Sequence, residues 1–148
     1  KYDDAQAFQE GFGKVKLNDK YGYVDTNGQE VIPPLFDFIS KPFDGKVFVK
    51  QNGKFHLRTM TNERISEVDY DYISLQYQSK SNDFNHPHNG LFLAQKGDFA
   101  GFLNAEGEEV IPFIYDNARK FVGDFASVLM NDTLYLIDSK GNRINITN

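Results

Sequence analysis

At 148 residues, with 40% apolar residues that include 14 Phe and 8 Tyr, the chain is one domain-sized piece rich enough in core formers to exclude disorder. A net charge of −5, with 16 basic residues that form no run, excludes a nucleic-acid surface, because neutralising phosphates takes clustered Lys and Arg. Zero Cys removes disulfides, thiol catalysis and thiolate zinc sites, and no apolar run approaches the length of a membrane span.

Residues 1–19 open the chain with half a repeat. Tyr2-Asp3-Asp4-Ala5-Gln6-Ala7-Phe8 matches Tyr115-Asp116-Asn117-Ala118-Arg119-Lys120-Phe121, and Phe12-Gly13-Lys14-Val15 matches Phe125-Ala126-Ser127-Val128. The Lys-Tyr-Asp-Asp start has no initiator Met and no apolar stretch behind it, so no signal peptide is expected and no compartment is indicated. Residues 20–53 form the first whole unit. Asp25-Thr26-Asn27-Gly28 reads as a turn closed by an Asx side chain, with Gly28 taking positive φ. A short strand, Glu30-Val31-Ile32, follows and is ended by Pro33, which cannot donate to a ladder. The corner Phe36–Phe43 reads either as a fourth strand or as a single helical turn. Lys46–Lys50 and Lys54–Arg58 alternate with period two around Asn52-Gly53, the signal of a tight hairpin.

Residues 54–98 repeat this pattern at a displacement of 34, which puts Asn62 on Gly28, Ile65 on Val31, and Tyr70-Asp71 on Phe36-Asp37. Asn is the side chain best able to replace Gly at positive φ. This copy has lost the motif Gly (His56) and Pro (Glu67), and it carries an 11-residue insertion, Ser79–Asn89. Residues 99–133 repeat the first unit at a displacement of 79 without a gap: Gly101 on Gly22, Val110-Ile111-Pro112 on Val31-Ile32-Pro33, and Asp116 on Asp37. Residues 134–148 are a closing half unit, with Asp138 on Asn104 and Gly141 on Gly107. Both ends fall inside a repeat, as expected of a mature form or a piece of a longer array.

The expected fold is therefore a single all-β domain, 1–148, of tandem β-meander repeats of 34 residues, stacked as an open twisted array. The alternative is a closed four-unit ring whose last unit is shared by both termini, which would hide the strand edges. Asp3, Asp37, Asp71 and Asp116 recur in every copy, so they read as turn carboxylates bonding backbone amides rather than as catalysts.

These units resemble the WG-repeat family, bacterial β-rich repeats built around Lys-Trp-Gly-Tyr-Ile-Asp, a Gly turn, Val-Ile-Pro, Tyr-Asp and Phe-x-Glu-Gly. The matching residues are Lys20-Tyr21-Gly22-Tyr23-Val24-Asp25, Gly28, Val31-Ile32-Pro33, Phe36-Asp37, Phe8-Gln9-Glu10-Gly11, and the third copy from Gly101 to Asp116. The chain has no Trp; Tyr21, Phe55, Phe99 and Leu134 stand at or near its place. The resemblance implies a bacterial origin and a binding or scaffolding role, and it brings no catalytic residues.

Function is expected where the repeat is broken. His86-x-His88 beside Asp83 has donors able to hold a divalent ion, but no fourth ligand stands at motif spacing, so no metal is expected. No nucleophile elbow or phosphate loop is present, and no cofactor is expected. Tyr70, Tyr72 and Tyr77, with Asp83, Phe84, His86 and His88 of the insertion, form the candidate binding set. The reading is a non-enzymatic protein- or peptide-binding module, in one version an inhibitor or immunity protein whose acidic field favours a basic partner. A carbohydrate-binding or carbohydrate-cleaving domain is the alternative, and a structural spacer in a longer array is the third.

Overall fold

The computed structural model describes residues 1–8, 10–74 and 90–144, and the regular elements among them are all β-strands. The first sheet joins β1 (Asp4–Ala5), β2 (Phe12–Leu17), β3 (Lys20–Asp25) and β4 (Glu30–Phe36). The second joins β5 (Phe38–Ile39), β6 (Lys46–Gln51) and β7 (Lys54–Thr59). The third joins β8 (Tyr72–Ile73), β9 (Leu91–Lys96), β10 (Phe99–Asn104) and β11 (Glu109–Tyr115). The fourth joins β12 (Asn117–Ala118), β13 (Ala126–Met130), β14 (Thr133–Ile137) and β15 (Arg143–Ile144). Among the described residues every pairing is antiparallel between strands consecutive in the chain, and no sheet closes into a barrel. The tandem all-β fold expected from the repeat is the fold observed.

The corner is a strand, not a helical turn: two residues pair with the first strand of the following hairpin, as Phe38↔Lys50 and Ile39↔Val49. Each four-stranded sheet thus begins at a corner and ends on the next Glu-Val-Ile-Pro segment or its equivalent. The strands of the first half unit, β1 and β2, and those of the closing half unit, β14 and β15, belong to different sheets. The chain divides into two compact units, Lys1–Asp69 with the first two sheets and Tyr70–Asn148 with the last two.

Two devices recur in the sheets. The first is the corner Asp, which grips the hairpin after it at two points. Its N–H donates to the end of the hairpin's first strand: Asp3 to Lys16 O, Asp37 to Lys50 O, Asp71 to Gln95 O, Asp116 to Leu129 O. Its carboxylate accepts the N–H at the hairpin tip: Asp3 from Asn18 at 2.7 Å, Asp71 from Gly97 at 2.6 Å, Asp116 from Asn131 at 2.9 Å, and Asp37 from Asn52. Three of these tips have two central residues at positive φ, the turn whose twist matches a hairpin: Asn18-Asp19, Asn52-Gly53 and Asn131-Asp132. Lys20 also pairs with the Asp37 carboxylate, which holds it below the usual range. The repeated acids are turn braces.

The second device is a wide bulge. Tyr21 pairs with Phe36 but Tyr23 with Ile32, so β4 carries two extra residues across from Gly22. The third sheet repeats this: Ala100 pairs with Tyr115 and Phe102 with Ile111. The bulge lies directly on the glycine. A Cβ on Gly22 would sit 2.3 Å from Ile32 O and 2.8 Å from Pro33 C; on Gly101 it would sit 2.8 Å from Ile111 O and 2.7 Å from the Phe113 ring.

The bulge also turns an aromatic inward. In the first unit Phe36, Tyr23 and Ile32 pack on Ile39, Val47 and Val49 of the second sheet, and Tyr23 Oη donates to Ser40 O at 2.8 Å. In the second unit Tyr115, Phe102 and Ile111 pack on Phe121, Ala126, Val128 and Ile137 of the fourth sheet. The rings of Phe102 and Phe121 meet edge to face, 5.0 Å apart.

Gly22→Ala and Gly101→Ala should each lower stability by about 3 kcal/mol, the size of a hard overpacking strain. Gly28→Asn, at a φ of 80° with open space beyond its Cα, should stay within about 0.5 kcal/mol. Asn62 already holds the same slot at a φ of 68°. Urea unfolding of the three variants checks the contrast.

Candidate functional site

Of the candidate binding set, the structure describes Tyr70 and Tyr72, and it separates them. Tyr70 is only 2% exposed; its ring stacks on Phe113 at 5.6 Å and its hydroxyl donates to Glu109 Oε1 at 3.3 Å. Burial, and then the Glu109 charge, push its phenol up. Its place is in the interior, where it cannot meet a ligand face-on. Tyr72, two residues on, is 49% exposed on β8. Tyr77, Asp83, Phe84, His86 and His88 lie outside the described residues, as does the His-x-His reading. Among the described residues no group of three or more His, Asp or Glu side chains is placed to hold a metal ion.

The second sheet holds a polar cluster that sequence reasoning recorded only as a lost glycine. His56 stands where Gly22 and Gly101 stand in the other copies, and it is 2% exposed. With a side chain there, the bulged strand has no room. What remains of it is one bridge, Arg58↔Arg64, and the Ser66 hydroxyl accepts the Leu57 N–H at 2.9 Å. His56 Nε2 accepts from Arg58 Nε at 2.9 Å, and its other ring nitrogen faces Asp69 Oδ1 at 3.9 Å. Asp69 in turn accepts from Arg64 Nη2 at 2.8 Å. The Arg58 guanidinium lies 5.2 Å from the Phe36 ring centre and donates to Asn62 O. Burial, then Arg64 and Arg58, push His56 down to about 4, against the opposing pull of Asp69.

The fourth sheet has an unfilled outer face. A pocket of about 210 Å³ is lined by Asn117, Ala118, Arg119, Ser127, Leu129 and Leu134. Leu134 is 71% exposed, and Val122 in the same sheet region reaches 83%. Both present apolar surface.

The sequence profile described as "WG containing repeat" matches residues 1–21, 21–55 and 101–133, more than half of the chain. The chain belongs to the WG-repeat family. No curated protein matches it.

In WG-repeat terms the Gly of the motif is the residue under the bulge, and the residue before it is the Trp position. That position holds Tyr21, Phe55, Ala100 and Leu134, since Ala100, not Phe99, immediately precedes Gly101. Tyr21 lies under Lys14 and Lys16 Nζ at 4.9 and 5.6 Å; Phe55 meets Phe38 edge-on at 6.0 Å with Lys50 Nζ at 5.3 Å. Ala100 is buried, and Leu134 leaves the pocket open.

His56 gives a pH dependence with a definite sign. Its folded value of about 4 lies below the ordinary 6.5, so between those values the unfolded chain binds more protons. Stability is complete above about pH 6.5 and falls as the pH drops through about 4, by at most about 3 kcal/mol. His56→Phe should flatten urea-unfolding stability across pH 6.5 to 4.5; a slope equal to that of the parent would contradict the assignment.

Proposed function

We propose that this chain is a non-enzymatic protein- or peptide-binding module, of the bacterial origin that its family resemblance implies. The observation that carries this reading is the outer face of the fourth sheet. Its shallow pocket sits beside Leu134, and Val122 and Phe125 stand exposed at the hairpin base of the same sheet. A few anchors of this kind supply most of the affinity of a small interface. The acids that recur in the repeat point the same way: the carboxylates of Asp3, Asp71 and Asp116 are spent on turn amides. A net charge of −5 favours a basic partner, as an inhibitor or immunity protein of a basic toxin would require.

The carbohydrate reading retains one observation in its favour, the exposed ring of Tyr72. Purified partner binding, measured by calorimetry, should weaken at least tenfold with Leu134→Asp and should fall with added salt. A glycan array with a hydrolysis assay on the same variants gives the opposing result. Sugar binding or turnover that survives Leu134→Asp and disappears with Tyr72→Ala would overturn the protein-binding reading.

A further inference from the structure

The repeat itself indicates what the pocket of the fourth sheet takes. Three positions stand side by side across the strands of each sheet: the first corner residue, the end of the first hairpin strand, and the Trp position. In the second sheet these are Phe38, Lys50 and Phe55, paired as Phe38↔Lys50 and Lys50↔Phe55. In the fourth they are Asn117, Leu129 and Leu134, paired as Asn117↔Leu129 and Leu129↔Leu134. The second sheet fills this place with its own ring under a cation, and so does the first, where Lys16 lies over Tyr21. The fourth sheet has lost both rings, and the space is the pocket.

Leu129 stands where the first two sheets carry that lysine, and the cation comes from another position. Arg119 lines the pocket, and among the described residues its guanidinium makes no hydrogen bond or ion pair. A guanidinium beside an apolar slot complements the negative face of an aromatic ring. The size agrees, since a cavity of about 150 Å³ accepts benzene and this one is about 210 Å³. Asn117 and Ser127 at its edge can take a hydrogen bond from an indole N–H or a phenol O–H.

We propose that this pocket is the receptor for one aromatic side chain, a Trp or Tyr, of the partner polypeptide, which completes in trans the ring-and-cation stack that the first and second sheets build for themselves. The proposal rests on the protein-binding reading and names the anchor that the partner must carry.

The absence of Trp from this chain makes the test clean, because indole emission reports the ligand alone. The probes are the blocked tripeptides Gly-Trp-Gly and Gly-Leu-Gly, titrated into the full chain and followed by indole fluorescence and by amide shifts. Saturable binding of the Trp peptide, with shifts at Ser127, Leu129 and Leu134 and at least tenfold preference over the Leu peptide, is the expected result. Arg119→Gln should weaken it about threefold, the usual worth of an exposed cation–π contact. Leu134→Trp should plug the pocket with its own ring, emit at the short wavelength of a buried indole, and abolish the titration. Equal binding of the Leu peptide, shifts that follow protein concentration alone, or a solvent-exposed emission from Leu134→Trp would each overturn the proposal. Partner binding lost in Leu134→Asp yet intact in Leu134→Trp would overturn the aromatic anchor while leaving the protein-binding reading standing.

Discussion

The contact between a backbone carbonyl and a bare Cα governs this fold. Ile32 O lies over Gly22 and Ile111 O lies over Gly101, closer than any side chain at those positions permits. That approach lets the Val-Ile-Pro strand bulge across its neighbour and places the aromatic that ends it, Phe36 or Tyr115, in the core. The aspartate that follows then pins the next hairpin by its tip. Glycine and bulge therefore go together and recur at a displacement of 79, while the buried aromatic and the pinning aspartate persist as Tyr70 and Asp71 in the copy that carries His56.

The second copy shows the converse. Once His56 occupies the glycine position, the bulged strand shrinks to a bridge, and Glu67 stands where Pro33 and Pro112, expected to end their strands, lie inside the bulges of β4 and β11. The vacated backbone positions are taken over by side chains: the Ser66 hydroxyl replaces a ladder acceptor, Arg58 donates to one nitrogen of the buried imidazole, and Arg64 pairs with Asp69. The third sheet keeps the glycine and the bulge and puts Ala100 at the Trp position; the fourth loses the ring there and opens a pocket.

Much of this architecture was legible because a repeat multiplies each weak signal. Asn62 standing for Gly28 pointed to a positive-φ turn, and both have it. The corner Asp pointed to a turn brace for the same reason. Self-similarity does not fix phase, however: the sheet boundaries at Phe36/Phe38 and Tyr115/Asn117 emerge only from strand pairing. Tyr70 and Tyr72 look alike in sequence, two residues apart. The bend at Asp71 interrupts the alternation between them, and so one ring is core and the other is surface. The pocket of the fourth sheet is defined by rings that are absent, and an absence becomes visible only once Leu134 and Asn117 are set beside Phe55 and Phe38.

Hydrogen exchange on Gly101→His, which introduces into the third sheet the residue that the second sheet carries, tests the governing contact most directly. Amides of β11, Ile111 and Tyr115 among them, should lose at least tenfold in protection while the β9–β10 hairpin keeps most of its own. A β11 strand that stays as protected as in the parent chain would show that the bulge does not need the glycine, and the causal order argued for this fold would fail.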